Sequence, residues 1–140
     1  MATTTAAVTL TSDLLSDNMS VSASTTCMKA GTTADGLDQM DMGYIELASG
    51  TQFNLIDATA LGVGKANKVY ICNESTDETY YIAIMIDGMM IGHLYAGDWM
   101  FIPYAQGDNV AELNITATNG TCDYEYAVFS TVQTLIDATS

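Results

Sequence analysis

Any chemistry in this chain would have to be built on one histidine, His93, and on carboxylates drawn from seventeen acidic residues. A histidine of this kind works beside a serine on a strained elbow or a reactive cysteine. No such elbow is present, so His93 reads as structural. Cys27, Cys72 and Cys122 stand far apart in apolar, strand-like stretches. Their odd number and wide spacing do not make a zinc site. Small buried hydrophobes are the role expected of them, with a single disulfide left open. Asp87, Asp98, Asp108 and Glu112 could supply a carboxylate pair for glycoside hydrolysis, but among seventeen acids some such pair is always available. Asp35, Asp38 and Asp41 crowd one loop without the alternating ligands and terminal glutamate of a calcium loop. Gly62-Val63-Gly64 lacks the rest of a phosphate-cradling fingerprint. Trp99, Tyr95 and Tyr104 are the aromatics that could stack on a sugar, although Trp99 alternates with Phe101 and reads as core. No catalytic, cofactor-binding or metal-ligating residue is assigned, and the chain is not expected to be an enzyme.

Charge narrows the partners further. Three lysines and no arginine face the seventeen acids, for a net charge of −14. Nucleic-acid binding needs Lys and Arg to neutralise phosphates, so no nucleic-acid partner is expected. An anionic membrane is an equally poor match, and no apolar run approaches the roughly 18–20 residues of a membrane span. The N-terminus shows no secretory pattern, and the chain is expected to be made in a cytoplasm. Asn-x-Ser/Thr tripeptides at Asn18, Asn73, Asn114 and Asn119 are what chance gives in a Ser/Thr-rich chain.

The elements that must position these residues are short strands. Residues 1–30 form a Thr/Ser/Ala-rich zone in which Val8, Leu10, Leu14 and Leu15 supply one strand and Met19, Val21 and Ala23 another. This zone reads as an extended arm or an edge hairpin, and residues 31–140 as one β-sandwich domain. Residues 31–42 read as an acidic loop. Strands follow at Tyr44–Ala48 and Gln52–Ile56. A third covers KVYICN from Lys68, and a hairpin turns at Asp87-Gly88 between Tyr80–Ile86 and Met89–Leu94. That turn pairs Ile86 with Met89, Ile84 with Ile91, and Ile82 with His93 on one face. On the other it pairs Met85 with Met90, Ala83 with Gly92, and Tyr81 with Leu94. Both faces are apolar.

A second two-residue turn at Asn119-Gly120 predicts a hairpin pairing Ala117 with Cys122, Ile115 with Tyr124 and Leu113 with Tyr126. Its other face, with Thr116, Asp123, Asn114 and Glu125, is watered. A hairpin apolar on both faces must bury both, which favours a subunit contact. Val8, Leu10, Leu14, Leu15, Tyr81, Met85, Met89, Met90 and Leu94 are the candidate interface. Helical spacing is confined to TVQTLIDATS at the C-terminus, too short to be stable alone. The predicted fold is all-β, an antiparallel sandwich of jelly-roll-like form.

The run from Lys68 to Phe129 resembles small β-rich virion proteins of tailed bacteriophages, especially capsid decoration (cement) proteins. These carry strands of the form "vyIxN" and "YxxI", then "G-x-x-I-G-x-L-x-x-G-(D/E)", "x-x-I-P" and a terminal "EYxVF". Ile71 and Asn73, Tyr81 and Ile84 match the first two. Gly88, Ile91, Gly92, Leu94, Gly97 and Asp98 match the third, Ile102 and Pro103 the fourth. Glu125, Tyr126, Val128 and Phe129 match the last. The likeness covers residues 68–130 and rests on turns and strand ends. It implies a sandwich that oligomerises, often as a trimer, and clamps neighbouring major capsid subunits on the outer surface of the virion. A tail, neck or fibre-attachment component is the alternative in the same class, and a carbohydrate-binding sandwich the alternative from another. A small hydrolase built on His93 is a remote third.

Overall fold

Apolar side chains recur with a period of two through almost every ordered segment, and the chain folds accordingly into strands. The computed structural model describes residues 4–13, 19–27, 39–56, 66–105 and 112–130. Among these the regular structure is β1 (Thr4–Ser12), β2 (Met19–Cys27), β3 (Gln39–Leu47), β4 (Gln52–Ile56), β5 (Ala66–Asn73), β6 (Tyr81–Ile86), β7 (Met89–Tyr95), β8 (Trp99–Ala105), β9 (Leu113–Thr118) and β10 (Cys122–Ser130). Leu14, Leu15, the loop at 31–38, Gly62-Val63-Gly64, Asp108 and the C-terminal segment 131–140 lie outside the described residues.

Two four-stranded antiparallel sheets, ordered β3-β10-β5-β8 and β4-β9-β6-β7, form the body, and β1 pairs with β2 in a sheet of their own. The ladder links β3 to β10, β4 to β9, β5 to β8 and β6 to β7. The body is thus one long hairpin, folded about the β6–β7 turn and wrapped so that alternate rungs fall in opposite sheets. That is a jelly roll, the form expected from the sequence.

Between the sheets lies a single apolar cluster. Val69, Ile71, Tyr124 and Val128 point into it from the first sheet, and Ile82, Ile84, Leu113 and Ile115 from the second. Phe53 on β4 meets Tyr124 and Tyr126 on β10 with ring centroids 6.2 and 6.0 Å apart. Tilted rings at this separation add to area burial and key the two sheets together.

The β6–β7 turn forms as its sequence demands. Asp87 and Gly88 adopt φ of 50° and 73°, the left-handed pair of a type I′ turn. The predicted register holds for Ile86 with Met89 and Met85 with Met90, then shifts by one at a bulge. Beyond it Ile84 faces Gly92, Ala83 faces His93, Ile82 faces Leu94 and Tyr81 faces Tyr95. Ile91 is the extra residue. Accommodating it lets Leu94 join Ile82 in the core, which the unshifted register would have forbidden.

The second expected hairpin does not form. β9 and β10 lie in different sheets, so Leu113, Ile115 and Ala117 pair with β4 and β6, while Cys122–Val128 pair with β3 and β5. Only Asn119 of the Asn119-Gly120 pair has positive φ, so the type I′ turn is not made. A Cβ on Gly120 would fall inside the ring of Tyr80; the glycine is needed for close approach, not for a hairpin. The inward residues were nonetheless correctly assigned, because parity survives the crossover. Residues 39–42 of the supposed acidic loop belong to β3, whose ladder with β10 runs out to Gln39.

Asn73, at the end of β5, joins the sheets through hydrogen bonds. It is fully buried. Its Nδ2 donates to the Leu94 carbonyl at 2.9 Å, and its Oδ1 accepts from Ser75 N at 3.0 Å. Its backbone N–H donates to the Asp98 carbonyl at 2.9 Å, and its carbonyl accepts from Gly97 N at 2.8 Å. Asn73→Ala leaves the Leu94 carbonyl and the Ser75 amide unpaired and should cost about 3 kcal/mol in denaturant unfolding. A loss below about 1 kcal/mol would show that the bridge is dispensable. Tyr124 is the opposite case: its hydroxyl is buried with no partner among the described residues. Tyr124→Phe should therefore be neutral or stabilising by about 1 kcal/mol in the same measurement.

Candidate interaction surfaces

The polar side chains around the Asn73 end are occupied in holding loops. Asp98 Oδ2 accepts from Tyr95 N at 3.0 Å while Asp98 N donates to the Tyr95 carbonyl at 2.8 Å, closing the β7–β8 turn reciprocally. Asp77 Oδ1 accepts from the amide and hydroxyl of Thr79, at 2.9 and 2.6 Å, which holds its carboxyl below the usual range. Asn119 Nδ2 donates to the Thr79 carbonyl at 3.1 Å. Asp98 and the loop at Asp77–Thr79 thus act as structural clasps. Of the four tripeptide asparagines, Asn73 and Asn114 are buried.

His93 sits on the outer face of the second sheet. Its ring stacks on Tyr81 with centroids 4.2 Å apart, meets Tyr95 edge-on, and places Nε2 3.0 Å from Met90 Sδ. These contacts make an aromatic and sulfur cluster and supply neither a nucleophile nor a carboxylate. Among the described residues no three His, Cys, Asp or Glu side chains converge as metal ligands. Cys122 is buried as expected, donating weakly to the Tyr81 carbonyl at 3.5 Å. Cys72 departs from that expectation: it is only half-buried and faces outward from β5. Burial, followed by its hydrogen bond to Glu74, raises its pKa, so it is a protonated thiol and a poor nucleophile at neutral pH.

What the surface does offer is exposed apolar area, in three places. The first is the β6–β7 tip and the β7 edge. Met89, 74 % exposed, stands beside exposed Met90 and Ile91, with Tyr95 further along. An edge strand with such side chains is a ready template for a partner. The second is the β1–β2 hairpin, where Leu10 pairs with Val21 and Val8 with Ala23. Val8, Leu10 and Val21 are about half exposed.

The third is the outer face of β3-β10-β5-β8. Its cross-strand rows read Met40–Phe129–Lys68–Pro103, then Met42–Ala127–Tyr70–Phe101, then Tyr44–Glu125–Cys72–Trp99. In these rows only Lys68 and Glu125 carry charge, and the next row pairs Glu46 with Asp123. Tyr44 is 64 % exposed and Trp99 50 %. Trp99 was expected in the core; Met100, Ile102 and Tyr104 take the inward positions of β8 instead. Alternation divides a strand into two faces but does not say which is inside when both are apolar.

The expected interface residues therefore divide. Val8, Leu10, Met89 and Met90 are exposed. Tyr81 and Met85 are half-buried on the outer face of the second sheet. Leu94 is removed from any surface patch, since the bulge turns it into the core at 8 % exposure. Missed were Met40, Met42, Tyr44 and Trp99. The Met40–Met42–Tyr44 alternation was present in the sequence but was masked by the acids between and before it. No protein-family model, no curated protein and no solved structure matches the chain.

Burial also sets how the tyrosines ionise. Tyr70 is pushed up to about 12 by burial and then by its hydrogen bond to Cys72. Burial raises Tyr104, Tyr124 and Tyr126 as well. In the unfolded chain these groups lose protons near the ordinary tyrosine value of 10.0, while the folded protein retains them. Above that pH the unfolded state binds fewer protons, so stability must fall as pH rises. Denaturant midpoints should be unaffected by these tyrosines up to pH ~10 and fall from there towards pH ~12. Much of the tyrosinate absorbance should then appear together with unfolding. Full ionisation of a still-folded protein near pH ~10 would contradict this assignment.

Proposed function

We propose that this chain is a non-enzymatic structural protein of a bacteriophage particle, a decoration protein that binds between major capsid subunits on the outer surface and stabilises the shell. The observation that carries the reading is the coexistence of three exposed apolar surfaces with a net charge of −14. Contiguous exposed apolar patches mark contact sites, and a strongly acidic remainder keeps the molecule soluble while it faces solvent. The jelly roll is used by capsid proteins and by lectins alike. Fold therefore does not choose between them. The resemblance of residues 68–130 to cement proteins favours the virion, with a homo-oligomer, a trimer by preference, as the bound form.

The β6–β7 tip is the surface we assign to the capsid, because Met89, Met90 and Ile91 project from the end of a rigid turn and methionine adapts to irregular partners. Purified capsids lacking the protein should bind it to a saturating, symmetry-related copy number and gain thermal resistance. Met89→Asp with Met90→Asp should weaken that binding about tenfold or more, with the unfolding midpoint unchanged. Capsids that take up none of the wild-type protein would overturn the proposal.

Half-exposed Trp99 beside an aromatic-lined cavity gives the carbohydrate reading a specific observation of its own. That reading requires glycan-array binding by the wild-type protein and its loss in Trp99→Ala. Because Trp99 lies on the surface, the variant should stay folded.

A further inference from the structure

We propose that the outer face of β3-β10-β5-β8 is a homotypic docking surface, and that its occupant is the β1–β2 hairpin of a second copy of this chain. Among the described residues the hairpin joins the strand ladder of neither body sheet, and a lone two-stranded hairpin is marginal in water. It has an apolar stripe, Val8 and Leu10 on β1 and Val21 on β2, that its own body leaves about half in solvent.

That body nevertheless shows where such a hairpin goes. Thr5–Val8 stand opposite Tyr70, Trp99, Phe101 and Phe129 and line with them an open cleft of about 390 Å³. Finished interiors are close-packed, with few voids larger than a water molecule. The hairpin has therefore reached this face in its own subunit without packing onto it. On the same face Met40, Met42 and Tyr44 remain more than half exposed.

Charge identifies the partner. Two copies at −14 each repel across acidic surface. Neither β1 nor β2 contains a charged residue, and the three rows from Met40 to Trp99 carry one lysine and one glutamate, Lys68 and Glu125, with the acids Glu46 and Asp123 in the row beyond them. These two surfaces can meet without bringing acids together. A stripe and a face that are unlike, both on one chain, make a heterologous contact, which closes into a ring or continues as a filament. A ring suits the oligomer proposed above, but the contact does not depend on capsid binding.

The test uses the full chain and sedimentation velocity, with Trp99, the sole tryptophan, as an optical reporter. Wild type should associate with rising concentration, and its emission should shift to the blue as Trp99 is covered. Leu10→Asp with Val21→Asp removes the stripe, and Met42→Asp with Tyr44→Asp removes the face. All four positions are more than half exposed, so both variants should fold by circular dichroism and sediment as monomers. Leu10→Ser with Val21→Ser repeats the stripe test without added charge. An equimolar mixture of the two aspartate variants should form a dimer, because the intact face of one takes the intact hairpin of the other. A wild type that stays monomeric, a stripe variant that assembles like wild type, or a mixture that does not associate would each overturn the proposal. Capsid binding measured on the same stripe variant separates this inference from the virion reading, which survives if capsids are still bound.

Discussion

The structure depends on one buried amide. A sandwich is held broadly by its apolar layer, but apolar contact is non-directional and does not say how one sheet is set against the other. Asn73 supplies that setting. Its side chain reaches from the end of β5 to the Leu94 carbonyl on β7, so a strand of one sheet is fastened to a strand of the other. Its remaining oxygen fixes Ser75, whose hydroxyl accepts from Asp123 N. Through that link the crossover from β9 into β10 is tied to the same point. Buried, with its amide nitrogen and its oxygen each bonded, the group rigidifies the junction of the two sheets.

Given this tie, the rest follows from one turn and one slip. The Asp87-Gly88 turn starts the long hairpin, and each outer rung then has a single partner on the opposite arm. The bulge at Ile91 corrects the face that β7 presents. Without it the alternation Met89, Ile91, His93 would point inward and Leu94 outward. One extra residue exchanges a histidine for a leucine at the core, a gain that easily exceeds the local disturbance of the ladder.

How far the sequence disclosed this depended on whether the signal was local. Period-two alternation and the turn residues located β4 to β7, β9 and β10 closely, since both are set by neighbours along the chain. Pairing was not local. Asn119-Gly120 has the composition of a hairpin turn, yet its strands pair with β3, β4, β5 and β6 and not with each other, and nothing in those two residues encodes that choice. The candidate surfaces were legible to the same degree. Met89 and Met90 flank a turn and had to be exposed. Trp99 and Phe101 share their strand with Met100, Ile102 and Tyr104, and only the packing of the whole sheet decides which set faces in.

That same ambiguity explains why this face is worth building. A strand apolar on both sides is costly to leave in water, and β8 is such a strand at a sheet edge. Acidic residues could have solubilised it, as they do elsewhere in the chain. Instead the three rows from Met40 to Trp99 carry only Lys68 and Glu125, and the acids Glu46 and Asp123 are kept to the row at one end of the face. The segment that approaches the three rows is a hairpin with no charge at all. Those three rows balance one positive against one negative charge, and within a chain of net charge −14 they are spared much of the repulsion that governs the rest of the molecule. They are therefore the place where copies of the protein can approach one another. A hairpin of two strands is marginal alone, so the contact proposed for it stabilises the segment as well as the assembly.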